Sequence, residues 1–186
     1  MVEEDSELRE RRIILIGYRC TGKTTAGKRL AERLSLPFYD TDRFVEESAG
    51  KTVREMVAAG GWEFFRHQEQ EAIRHLTARG KGVIATGGGA VLDPGNAALL
   101  KKAGILIWLT ADAETIRERM QADPVTAEQR PCFSAEDLAV EIGVTLAVRI
   151  PLYRSLADLV IDTTALDIEA CVDRIVEYVY DTKLNR

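Results

Sequence analysis

Gly17-Tyr18-Arg19-Cys20-Thr21-Gly22-Lys23-Thr24 places two glycines, a lysine and a hydroxyl side chain in one short run, directly after the apolar stretch Ile13-Ile14-Leu15-Ile16. This is the Walker A spacing in the context it requires. A strand delivers the chain to a tight loop whose backbone N–H groups can approach phosphate oxygens, and the helix that follows points its positive dipole end at them. Lys23 would reach the β- and γ-phosphates of a nucleotide, and Thr24 would hold Mg²⁺. The amphipathic segment Thr25–Leu34 supplies the helix.

Carboxylates, glycines and arginines further along the chain are each open to two readings. Asp40 and Asp42 stand at the end of a second β-type run, where ligands of open α/β sheets gather. One could hold a metal-bound water and the other accept a proton from an attacking hydroxyl. Alternatively, Asp42 N-caps a helix beginning at Arg43. Gly87-Gly88-Gly89 follows a third run, and backbone N–H groups there could face a ligand or simply allow a strand-to-helix turn. Arg66 lies on the helical segment Gly61–Thr77, whose apolar stripe runs through Trp62, Phe65, Ile73 and Leu76. Its neighbours Glu63 and Glu69 make a surface ion pair the plain alternative to anion binding. Arg149, two residues before Pro151 and four before Tyr153, is equally ambiguous. His67 and His75 have no ligand spacing around them and receive no role.

The elements that must position these groups alternate. Strand-type runs at Arg12–Ile16, Phe38–Asp40, Gly82–Thr86, Gly104–Leu109 and Asp158–Asp162 are separated by helical patterns, so the chain reads as α/β with a parallel sheet covered on both faces. Helix starts are marked by Thr52…Glu55, by Asp93 before Pro94, and by Ser134…Asp137. The polar, Pro-containing segment Gln121–Phe133 has no clear period and reads as a lid. No N-K-x-D motif is present, and neither Gly82–Thr86 nor Gly104–Leu109 ends in the Asp of an ordinary Walker B, so the phosphate loop is not that of a switch GTPase.

Composition narrows the partners. With 186 residues, 46% of them hydrophobic, the chain can bury one good core, and the net charge of −5 disfavours nucleic acid. Cys20, Cys132 and Cys171 have neither disulfide-framework nor zinc spacing, which suits a reducing, cytoplasmic compartment. No apolar run is long enough for a membrane helix, and Met1–Arg12 is too charged for a signal peptide. The expected organisation is a charged arm at 1–11, a single domain at 12–182 and a tail at 183–186, with a substrate-binding region near 41–76 and the lid near 121–134.

In this order and at these separations, the positions resemble those of the shikimate kinases, from about Arg12 to Val179. The resemblance rests on the phosphate loop, on Phe38-Tyr39-Asp40-Thr41-Asp42, on Phe65-Arg66…Glu69, on Gly87-Gly88-Gly89-Ala90-Val91, on Arg130-Pro131, and on Arg149…Leu152-Tyr153. It implies a P-loop NTPase-type three-layer sandwich with a five-stranded parallel sheet, like the nucleoside monophosphate kinases, and a lid. The implied reaction is phosphorylation of the shikimate 3-hydroxyl by ATP, within aromatic amino acid biosynthesis. Cys20, Thr21, Gly22, Lys23, Thr24 and Thr25 would hold the nucleotide together with Arg130, which closes over the transferring phosphoryl group. Asp42, Arg66, Arg149 and the Gly87, Gly88 and Gly89 backbone would hold shikimate. Thr24, and Asp40 through water, would serve Mg²⁺. Lys23, Asp42 and Arg130 would carry the chemistry. Many members have Gly at the position of Cys20, and Arg117 and Arg119 are both candidates to stack on adenine. A kinase for another acidic polyol such as gluconate, or a non-catalytic sensor on the same fold, are the alternatives. A monomer is expected, with ATP and shikimate as its partners.

Overall fold

The computed structural model describes residues 12–123 and 135–184, the side chains of 135–137 and 183–184 excepted. Its elements in chain order are β1 (Arg12–Ile16), α1 (Lys23–Leu34), β2 (Phe38–Asp40), α2 (Thr41–Ala49), α3 (Val53–Ala78), β3 (Gly82–Ala85), a 3₁₀ turn (Ala90–Leu92), α4 (Pro94–Ala103), β4 (Gly104–Thr110), α5 (Ala113–Ala122), α6 (Ala135–Leu156), β5 (Leu159–Asp162) and α7 (Ile168–Leu184). The sheet has the order β2-β3-β1-β4-β5 and every pairing is parallel.

A parallel sheet is buried on both faces, which is why β1 is an unbroken apolar run rather than an alternating one. Ile13 and Leu15 pack with Leu30 of α1 and with Val172 and Ile175 of α7. Ile14 and Ile16 pack on the opposite face with Ile73 and Leu76 of α3, Leu100 of α4 and Tyr153 of α6. These two clusters make the three layers. The chain leaves β1 for the edge strand β2, returns through β3, then crosses β1 to reach β4. That reversal opens a crevice at the carboxyl ends of β1, β3 and β4, and the predicted site residues among those described lie around it.

Local differences from the sequence expectations have physical causes. α2 begins at Thr41, and its cap is Asp40, whose Oδ1 accepts from the Asp42 and Arg43 amides at 3.1 and 3.3 Å. Asp42 is therefore inside the helix and does not cap it, which overturns that alternative. The Thr52…Glu55 capping box forms in both directions, and Asp93 caps α4 through the Asn96 amide at 2.7 Å with Pro94 in the first turn. α3 is kinked at Gly61, with φ 73° and ψ 178°, so the stripe loses phase there. Phe65, Ile73 and Leu76 are buried as expected, but Trp62 is 53% exposed. β3 stops at Ala85, one residue early, because the chain turns into the glycine run after Thr86. β4 runs on to Thr110. β5 starts at Leu159 because the Asp158 carboxylate is occupied by the Leu106 amide and Lys101. Gln121 belongs to α5, which shortens the predicted lid at its start. The segment 124–134, with Arg130, Pro131 and Cys132, lies outside the described residues, as does the Ser134…Asp137 cap. Among the described residues no helix is long and apolar enough to cross a membrane.

Candidate active site

The phosphate loop spans the turn between β1 and α1. Gly17 has φ 139°, and a Cβ there would overlap the Leu109 carbonyl of the neighbouring strand, so only glycine fits. Gly22 enters α1 with φ 90°. Cys20 holds a left-handed φ of 59°, a conformation that a side chain tolerates poorly. Lys23 is buried, and its Nζ donates to the Tyr18 carbonyl at 2.6 Å, while Thr21 Oγ1 donates to the same oxygen at 2.8 Å. Burial pulls the Lys23 pKa down to about 8, against the opposing pull of Asp42 and Asp40. Thr24 and Thr25 are exposed at the start of α1. Thr24 Oγ1 donates to Asp40 Oδ2 at 2.8 Å, leaving Oδ1 for the α2 cap.

Thr24 and Asp40 form a small set of hard oxygens at the phosphate end. Among the described residues there is no group of three or more His, Cys, Asp or Glu that could hold a metal ion. The pair fits Mg²⁺, which keeps waters and phosphate oxygens rather than an all-protein cage.

On the other side of the crevice, four segments converge. Arg66 Nη1 pairs with Glu69 Oε2 at 2.5 Å, and Glu69 is only 1% exposed, so this is not the surface ion pair that the spacing allowed. The Arg66 guanidinium lies 5.6 Å from the Trp62 ring centroid and 5.3 Å from that of Phe65, and it fills the space directly over Gly89, where a Cβ would collide with it. A Cβ on Gly87 would come within 2.5 Å of Asp42 Oδ1 and 2.8 Å of Glu69 Oε1. Both of those oxygens are buried without a hydrogen-bond partner. Arg149 Nη1 and Tyr153 Oη both donate to the Gly88 carbonyl, at 3.0 and 2.5 Å, and the Gly87 amide donates to Thr41 Oγ1 at 2.8 Å. The glycine run is thus a braced ledge between two arginines and two carboxylates, not a loose turn.

The electrostatics follow from this crowding. Desolvation, then Asp40 and Glu69, push Asp42 up to about 7 despite Lys23 and Arg66. Burial likewise raises Glu69, offset in part by Arg66 and Arg149, and raises Tyr153 to about 12. Two acceptors that lack donors and sit beside cationic groups are prepared to receive hydroxyl protons.

At the far rim, Arg119 donates to the Thr163 carbonyl at 2.7 Å, to Thr163 Oγ1 at 3.1 Å and to the Cys20 carbonyl at 3.4 Å. Arg117 instead turns to Glu114 and Gln121. Of the two candidates only Arg119 stands against the phosphate loop. Three residues without an assigned role in the sequence reading belong to the site. Tyr18 supplies the carbonyl that holds Lys23, Tyr153 braces Gly88, and Glu69 orients Arg66. The signal for Glu69 was its i+3 spacing from Arg66; Tyr18 acts through its backbone and left none.

The family profile described as shikimate kinase matches residues 19–180. Shikimate kinase of Syntrophus aciditrophicus is 45% identical over 189 residues, covering 97% of both chains, and shikimate kinase 2 of Yersinia enterocolitica is 40% identical over 92% of this chain and 97% of that one. Among solved structures, a shikimate kinase from Acinetobacter baumannii in complex with shikimate superimposes with a TM-score of 0.88 at 30% identity, covering 97% of this chain and 99% of that one. The enzyme from Aquifex aeolicus gives 0.74 at 27% identity, over 94% and 99%. By sequence over nearly its whole length and by fold, the chain belongs to the shikimate kinase family.

Proposed function

We propose that the chain transfers the γ-phosphoryl group of ATP to the 3-hydroxyl of shikimate, with the residues of the crevice in the following roles. The observation that carries the assignment is the pair of orphaned acceptors, Asp42 Oδ1 and Glu69 Oε1, held over Gly87 between Arg66 and Arg149. A compact carboxylated triol offers the complement, one anion for the guanidinium forks and hydroxyl donors for the acceptors. The shikimate complex of the Acinetobacter relative supports that choice of ligand.

Arg66 and Arg149 would grip the carboxylate from opposite sides of the glycine ledge. Asp42 would align the attacking hydroxyl and take its proton as the oxygen forms its bond to the γ-phosphorus and the bond to the ADP oxygen breaks. Its raised pKa places it close to the working range of a general base. Lys23 would leave the Tyr18 carbonyl for the β- and γ-phosphate oxygens, and the amides from Cys20 to Thr25 would cradle them. Thr24 and Asp40 would hold Mg²⁺, which when bound neutralises phosphate charge. Arg130 would close over the transferring group and help exclude water. Cys20 and Cys171 as thiols suit a cytoplasmic setting.

The test is a coupled assay of ADP release with shikimate, with gluconate and with neither. ADP release dependent on shikimate, at a rate unaffected by excess gluconate, is the expected result. Equal turnover of gluconate would reassign the substrate, and nucleotide binding without ADP release under any condition would point to a sensor.

A further inference from the structure

The two arginines of the crevice are held by different chemistry. Arg66 is tied to the buried Glu69 carboxylate, which offsets its charge. Arg149 is half-buried and rests on neutral groups. Its Nη1 donates to the Gly88 carbonyl at 3.0 Å, and its guanidinium lies over the Tyr18 ring, 5.5 Å from the centroid. No carboxylate of the described residues forms an ion pair with it.

The Tyr18 ring has no part in the phosphate loop's own work. The Walker A spacing leaves the positions between its two glycines open, and what Tyr18 gives that loop is its carbonyl, which accepts from Lys23 and Thr21. The ring is buried and packs with Ile116 and Met120 of α5 and Ile142 of α6. Arg19 also lies 5.5 Å from its centroid, but that guanidinium is committed to Glu141 at 3.0 Å.

We infer that Tyr18 is a positioning residue for the substrate carboxylate: its ring aims Arg149 without neutralising it. The inference rests on the proposed grip of Arg149 on that carboxylate. A carboxylate beside Arg149 would compete with the incoming acid for the same N–H edges. An aromatic face instead attracts the cation through its quadrupole and supports the guanidinium from one side, which leaves those edges free for a bidentate pair. Because the ring is packed between α5 and α6, its place is set by the protein and not by the ligand. Tyr18 thus serves the two substrates through separate parts, the carbonyl for the nucleotide lysine and the ring for the carboxylate arginine.

That separation gives the test, in steady-state ADP release measured against each substrate in turn. Tyr18→Leu, which keeps apolar bulk and removes the π face, should raise the KM for shikimate about 5–30-fold. The KM for ATP should stay within about threefold, because the backbone carbonyl survives the substitution. Tyr18→Phe keeps the face and should stay within about threefold of wild type for both substrates. Fluorinated phenylalanines at position 18 keep the shape of the ring while draining its π face. Across that series the shikimate KM should climb with each added fluorine, a readout that stands even if the leucine variant fails to fold. In the Arg149→Ala background, Tyr18→Leu should change the shikimate KM by less than about twofold. A flat fluorine series would overturn the inference, as would a Tyr18→Leu that raises both KM values alike or keeps its full effect without Arg149. Wild type that releases no ADP with shikimate would overturn the proposed function and this role together, whereas shikimate turnover that ignores the ring overturns the role alone.

Discussion

The two sides of the crevice are built in opposite ways. The phosphate side is one contiguous run, Gly17–Thr24, whose work is done by backbone geometry and one lysine; Lys23 and Thr21 both bond to the Tyr18 carbonyl, and the buried atom there without a partner, Arg19 Nε, is a donor and not an acceptor. The substrate side is assembled from α2, α3, the glycine ledge and α6, and it holds two buried carboxylate oxygens without donors. A site for a group common to all nucleotides can be closed and self-satisfied until its ligand displaces a local bond. A site that must recognise one particular small acid keeps its unsatisfied groups ready, at a cost in stability.

If the phosphate side depends on one cation in place of many contacts, its removal should have the largest effect of all. Lys23→Ala is expected to lower turnover by about 10³-fold or more, the scale on which charge stabilisation of phosphoryl transfer operates. Thermal stability should hold or rise, because the variant no longer buries an ammonium group whose pKa is already pulled down to about 8. Turnover within about tenfold of wild type, or about 1.4 kcal/mol, would show that Lys23 is not the phosphate lysine.

On the substrate side the loss should fall on one ligand and be divided between two arginines. Arg66→Ala and Arg149→Ala should each raise the KM for shikimate by an amount equivalent to about 2–5 kcal/mol while moving the KM for ATP little. An amide analogue of shikimate should bind wild type poorly but lose much less to either variant. The two should separate in melting experiments. Arg66→Ala strands the buried Glu69 carboxylate, whereas the Gly88 carbonyl left by Arg149→Ala still accepts from Tyr153. Equal shifts in Tm would mean that Glu69 is satisfied elsewhere.

The readiness of the substrate side has a pH signature. The Asp42 pKa rises on folding from 3.8 to about 7, so between those values the native chain holds a proton that the unfolded chain has released. Stability therefore falls as pH rises through that window and levels off above it. Asp42→Asn cannot ionise, so its stability gain over wild type should be near zero at pH 4 and grow to about 4 kcal/mol at pH 8, while its turnover drops. Melting both proteins without ligand at the two pH values checks this, and a pH-independent difference would show that folding does not raise the Asp42 pKa.

The same contrast explains what could be read before the structure was known. The phosphate loop was legible because one local motif between a strand and a helix has one physical solution. The sheet was legible because β1 and β4 are apolar without alternation. The substrate side was not legible residue by residue. Nothing near Asp42 in sequence says that Glu69 lies beside it, and the capping alternative failed because the previous acidic residue, Asp40, had taken the cap. Trp62 was assigned to a buried stripe that the Gly61 kink breaks, a turn of backbone that helical periodicity cannot register. Only resemblance to a family joined these segments, since the contacts that join them are long-range.

Cys20 gives the smallest expected effect and the finest test of a phosphate side defined by backbone. Its φ of 59° costs a residue with a Cβ about 1–2 kcal/mol, and glycine would avoid that cost while losing about 0.5–1 kcal/mol through the greater freedom of its unfolded chain. Cys20→Gly should therefore stabilise the protein by no more than about 1 kcal/mol, whereas Cys20→Ala, which keeps the strain and loses the contact with the Tyr18 and Ile116 cluster, should destabilise it slightly. The order Gly above Cys above Ala, measured by urea unfolding, is the reverse of what an ordinary loop or helix position gives for Gly and Ala. Turnover and the KM for ATP should stay within about threefold in both variants, because on the proposed function the amides and not the thiol would cradle the phosphates. If Cys20→Ala were as stable as Cys20→Gly but lost nucleotide affinity, the side chain would be acting on the ligand, and the two sides of the crevice would be less different than their construction indicates.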